Sequence, residues 1–146
     1  MSTIKYCIEK AHSIEASTFQ RKVYAVITDK KGKVLAEGQN SYTKTHTFQY
    51  KCAKKRGKEE KCFLHAEISA ICRLSHQHKE KAYKIFIARA SNEDGTLLAA
   101  PCEVCQEAIS QTSIQIIEYT TRTGSKVVER KTLQEEAFKD CELNKD

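Results

Sequence analysis

The chain has 146 residues, 40% of them apolar and 30% charged, with one Pro and five Gly; residues 1–146 are therefore expected to form a single domain with a sizeable core and no linker. No apolar run approaches the ~18 residues of a membrane span, and the N-terminus lacks the apolar stretch of a secretory signal, so a cytoplasmic protein with no membrane partner is expected. Seven Cys, an odd number without framework spacing, point to reduced thiols, and the net charge of +6 speaks to solubility and partners, not to fold.

In chain order, Ile4, Cys7, Ile8, Ala11 and Ile14 recur at near-helical spacing, which predicts an amphipathic helix over residues 3–18 packed on a sheet. Residues 23–28 are a β-rich run, 29–32 read as a turn and 33–38 as a second strand, together a hairpin. The second strand delivers Gly38-Gln39-Asn40-Ser41-Tyr42 to its exit. Residues 43–50, polar and aromatic without a clear period, run into a basic cluster of Lys51, Lys54, Lys55, Arg56, Lys58 and Lys61. A segment this long is usually functional or partly helical, and residues 50–61 can form a short basic helix. Phosphate suits such a positive field; a solvated basic loop is the alternative reading.

Next comes Leu64-His65-Ala66-Glu67, opening a helix whose Ile68, Ile71, Cys72 and Leu74 face a core and which ends near His76. His76 and His78 have a spacing that suits a surface patch, and no second metal site is read there. Residues 82–89 form a third strand, 91–95 a turn, and Ala100-Pro101-Cys102-Glu103-Val104-Cys105 opens a helix to about Gln111. Residues 114–120 and 126–130 are a fourth and a fifth strand; with no helix between them they should pair antiparallel. A last helix is expected over residues 132–143.

Chemistry concentrates in residues 63–106. An imidazole and two thiolates, from His65, Cys102 and Cys105, suit Zn²⁺, and three protein ligands leave the fourth tetrahedral position open, as a catalytic site requires. Glu67 is then an acid/base and not a ligand. Pro101 fixes a helix start, and Cys102 and Cys105, at i and i+3, share a face near the positive end of the helix dipole, which favours thiolates. On a regular helix His65 and Glu67 would diverge by about 200°, so His65 must sit at the helix N-terminus for both to lean over its end. A structural zinc site, or Cys and His in a core, is the plainer alternative, which needs neither Glu67 nor Pro101.

H-x-E followed by P-C-x-x-C resembles the signature of the cytidine deaminase superfamily, the zinc-dependent nucleobase deaminases. The resemblance runs from about Val23 to Tyr119, with a weaker match at Gly38-Gln39-Asn40. It implies an α/β fold, a three-layer α/β/α sandwich with a mixed five-stranded sheet and the ligand helices on one face. It also implies hydrolytic deamination of a cytosine-containing nucleoside or nucleotide, of cytidine or deoxycytidylate type. The catalytic residue would be Glu67, the zinc ligands His65, Cys102 and Cys105, and the substrate contacts Asn40, Ala66, His46 and Tyr50, the last two stacking on a base from a loop like the family's variable one. An Asn in a turn and a solvated His are the plainer readings of Asn40 and His46. The antiparallel pairing of strands four and five resembles the free-nucleoside deaminases. The residues after Cys105 match neither the Cys-Arg pairing of cytidine deaminases nor the Cys-Ala pairing of deoxycytidylate deaminases.

Two other functions fit the same motifs. One is deamination of cytosine or adenine within single-stranded DNA or RNA, with the cluster from Lys51 to Lys61 tracking the backbone. The other is a catalytically silent zinc fold that binds nucleotides or partners. Members of the superfamily are often dimers or tetramers, so a homo-oligomer is compatible with the resemblance.

Overall fold

The computed structural model describes residues 2–17 and 20–131. A sheet with strand order β2-β1-β3-β5-β6 is built from β1 (Lys22–Thr28), β2 (Val34–Gln39), β3 (Lys84–Ala90), β5 (Ile116–Thr120) and β6 (Ser125–Glu129). β1 pairs antiparallel with β2 and with β3, β3 runs parallel to β5, and β5 pairs antiparallel with β6, so the expected hairpin is present. One element was not foreseen: β4, the two residues Thr96–Leu97, pairs with the end of β3 and makes the sheet six-stranded. The central strands carry continuous apolar runs because both of their faces are covered.

Helix α1 (Thr3–His12) lies on one face, over Tyr24, Val26, Phe86 and Ala88. It stops short of the expected residue 18 because Ser13 closes it: its N–H donates to the Glu9 and Lys10 carbonyls and its hydroxyl to Lys10 O at 2.7 Å. The opposite face carries α2 (Thr47–Lys55), α3 (Ala66–Cys72) and α4 (Glu103–Ser110), whose apolar residues join Ala25, Ile27, Ile85, Ile87 and Ile117 in the larger of two core clusters. The layers are therefore α/β/α, with the ligand-bearing helices together. α2 begins earlier than the basic run because His46 caps it, Nδ1 accepting from Phe48 N at 3.0 Å. Gly38 admits α3 against β2, since a Cβ there would lie 2.6 Å from Ala70 N. The helix expected over residues 132–143 lies outside the described residues. Among the described residues no helix is long and apolar enough to cross a membrane.

Candidate active site and metal centre

The two motif segments meet at one end of the sheet. His65 is the N-cap of α3, with extended backbone, so its ring and the side chain of Glu67 in the first turn lean over the same helix end. Cys102 is the N-cap of α4 and Cys105 lies in its first turn, so the helix starts one residue later than the sequence reading had it. His65 Nδ1 lies 3.3 Å from Cys105 Sγ and 3.6 Å from Cys102 Sγ, and one ligand atom from each of the three residues falls within 4.8 Å of the others. Metal–ligand bonds of roughly 2.0–2.3 Å in a tetrahedron separate ligand atoms by about 3.5–3.8 Å. The donor set and its spacing thus fit a zinc ion.

The electrostatics agree. Hydrogen bonding from Cys105, and then the hydrogen bond and charge of His65, hold the Cys102 thiol well below its usual range despite burial, which makes it a ready thiolate. Burial, followed by the Cys102 charge, pushes the Cys105 thiol well up. Burial presses His65 down, but its hydrogen bond and charge interaction with Cys102 outweigh this and its pKa stands above the ordinary value. Glu67 is 6% exposed; burial raises its pKa, with His65 opposing and Cys102 adding. Burial thus favours the protonated form of the carboxyl more than it would at the surface.

Of these groups His65, Glu67 and Cys102 line a cavity of about 430 Å³, with Cys105 buried behind them. Asn40 and Ala66 line it, and the Asn40 amide already bonds within the hairpin region: Oδ1 accepts from Val23 N at 3.0 Å and Nδ2 donates to Arg21 O at 2.9 Å. His46 and Tyr50 are not brought to this cavity. The His46 ring caps α2 and lies 3.6 Å from Cys72 Sγ beside a different cavity, and Tyr50 stands exposed on α2, because the segment that holds them folds as a helix and not as a loop over the site. Phe63 and Tyr42, 44% and 42% exposed, line the metal-site cavity, with Arg21, Lys61 and Arg89 adding positive charge and Glu60 opposing it. Phe63, two residues before the His of the motif, was the one of these with a positional signal in the sequence.

Gln49 also escaped the sequence reading. Wholly buried, it accepts from His65 N through Oε1 at 3.1 Å and donates through Nε2 to Lys61 O at 2.8 Å, fixing the loop that presents the ligand. Part of the basic cluster is structural. Arg56 Nε and Lys55 Nζ lie 3.0 and 3.2 Å from the Glu107 carboxylate, while Lys51 and Lys54 stay exposed on α2.

A mixed sheet with a His–Cys–Cys set at the starts of two helices on one face defines the cytidine deaminase-like class. The family of the cytidine and deoxycytidylate deaminase zinc-binding region matches residues 1–121, both motifs included, and the chain belongs to it. Its fold is similar to that of cytidine deaminase from Burkholderia pseudomallei, with a TM-score of 0.56 at 17% identity over 91% of this chain and 96% of that one. A search of curated proteins finds no match.

Proposed function

We propose that the protein is a zinc-dependent hydrolase that deaminates a cytosine-containing nucleoside or nucleotide. The observation that carries this reading is the buried Glu67 carboxyl beside a His65–Cys102–Cys105 donor set, at the base of a cavity large enough for a nucleobase and sugar. His65, Cys102 and Cys105 would hold zinc, which when bound supplies the Lewis acidity that makes water a nucleophile at neutral pH. Glu67 takes a proton from the attacking water on a carboxylate oxygen, delivers it to the ring nitrogen, and returns the second proton to the leaving amine. Water and cytosine thereby become uracil and ammonia. Asn40 keeps one N–H and one acceptor lone pair beyond its bonds to Val23 and Arg21, enough to orient a sugar hydroxyl. Phe63 and Tyr42 offer ring faces to the base. The antiparallel β5–β6 pairing supports a small substrate over a polymer.

The test is ammonia release by the zinc-loaded protein from cytidine, deoxycytidine, their monophosphates, adenosine and single-stranded oligonucleotides, in wild type and Glu67→Gln. Turnover of a small cytosine compound is expected, lowered roughly 10²–10⁴-fold in the variant with zinc content unchanged. Equal turnover in the variant would overturn the role of Glu67, and activity confined to oligonucleotides would overturn the substrate class.

A further inference from the structure

A second cavity, of about 270 Å³, lies at the open edge of β2, where the strand ends between the two helical layers. Lys10 and Ser13 reach it from α1 and its cap on one face of the sheet, Ser69 and Arg73 from α3 and its cap on the other, and Lys44 from the loop that follows β2. Among the described residues no carboxylate lines it. Lys10, Lys44 and Arg73 also lack an ion-pair partner among the described residues, whereas Lys55, Arg56 and Lys84 each have one. Lys10 Nζ is instead 5.6 Å from the Tyr24 ring centroid. Like charges gathered without a counterion repel one another, and an anion relieves that repulsion.

The backbone adds a donor. Asn40 N donates to Val23 O, so strand alternation turns the Gln39 amide away from β1, toward the open edge. Cations from three directions with hydroxyl and amide donors between them match the oxygens of a tetrahedral dianion better than a planar carboxylate. Asn40, Ser41 and Leu64 line both this cavity and the one above the metal ligands, so the two share a wall.

We propose that this second cavity is a phosphate site, built by Lys10, Lys44 and Arg73 and adjoining the catalytic cavity across the wall of Asn40 and Ser41. The phosphate belongs either to a free nucleotide or to a phosphodiester backbone. The site stands apart from the deaminase reading, because it is tested with compounds that have no exocyclic amine and ammonia release plays no part in the outcome.

The experiment is calorimetric binding of thymidine, thymidine 5′-monophosphate and oligothymidylate to the zinc-loaded full chain. It compares wild type with Lys44→Gln/Arg73→Gln, whose side chains are both exposed, with Lys61→Gln in the first cavity, and with Lys31→Gln in the β1–β2 turn as a control for loss of a surface charge elsewhere. Zinc content and melting temperature verify that each variant is folded. A phosphate-bearing probe should bind at least roughly tenfold more tightly than thymidine, the double variant should erase that gain, and Lys31→Gln should keep it. A gain seen with the monophosphate identifies a free nucleotide; a gain confined to the oligomer identifies the diester backbone. Three results would overturn the proposal: no gain from phosphate, a gain that survives in the double variant, or a gain lost only in Lys61→Gln.

Discussion

Gln49 joins α2 to both flanks of the loop that ends in His65. Its amide spends one oxygen on the His65 N–H and one N–H on the Lys61 carbonyl, with no exposure to water. Gln49→Ala would leave two part-buried backbone groups without this partner, each at a cost of up to about 1–3 kcal/mol. The expected result is a loss of roughly 2–4 kcal/mol in denaturant unfolding, together with faster loss of zinc to a competing chelator as His65 loses its anchor. Unchanged zinc retention would show that α3 alone fixes the ligand. Nothing in the sequence marks Gln49, since a Gln in a polar, aperiodic stretch has no partner until the chain folds. His46 was open to misreading for the same reason: whether an imidazole stacks on a base or caps a helix depends on backbone angles, here φ −148° and ψ 141° at the cap. The ligands themselves were legible because their chemistry is written in local spacing.

At the scale of elements, α2 and α4 are clamped together through Glu107. Its carboxylate accepts from the Gln111 amide, from Arg56 and from Lys55, and in that order these hold it down to about 2, against burial. The contributions are unequal. Lys55 is 65% exposed along its side chain, so water and salt screen it, while Arg56 is 26% exposed and bonds at 3.0 Å. Glu107→Ala should therefore cost about 1–3 kcal/mol, and Lys55→Ala less than about 0.5 kcal/mol, as read from denaturation midpoints in low and high salt. Equal effects of the two would mean that the clamp is a surface interaction. The partners lie 51 positions apart, which is why the basic run reads as one patch in sequence and divides in space into a clamp, an exposed helix face and a cavity wall. Strands β1, β3, β5 and β6 were legible because their apolar runs are bounded by turn residues. β4 was not, because two residues carry no period and its pairing depends on where β3 ends.

Across the whole molecule, the two layers on the sheet differ in what holds them. α2, α3 and α4 share the larger apolar cluster, whereas α1 rests on a smaller one reinforced by acids that must stay protonated. Cys7 is wholly buried and its thiol donates to Tyr24 O at 3.2 Å; Tyr6 and Tyr24 both donate to Glu37 Oε1 at 2.6 Å. Burial, with the Glu37, Glu67 and Glu118 charges adding and a backbone hydrogen bond at Ala88 opposing, pushes Cys7 from 9.0 up to about 12. Burial first and then the Glu37 bond raise Tyr24, and the Glu37 bond leads in raising Tyr6. Folded pKa values above the unfolded ones mean that this stabilisation is complete at lower pH and is lost on the alkaline side. Below pH 9.0 both states keep the Cys7 proton; between there and about 12 the unfolded chain releases it first, at about 1.4 kcal/mol per pH unit. Urea midpoints of the wild type should therefore fall steeply above pH 9. Those of Cys7→Ala should start lower and fall less, keeping the decline from Tyr6 and Tyr24, while the thiols common to both proteins, those of the metal site together with Cys52 and Cys72, cancel in the difference. Parallel curves for the two proteins would mean that Cys7 ionises without cost and that the attachment of α1 is indifferent to its proton.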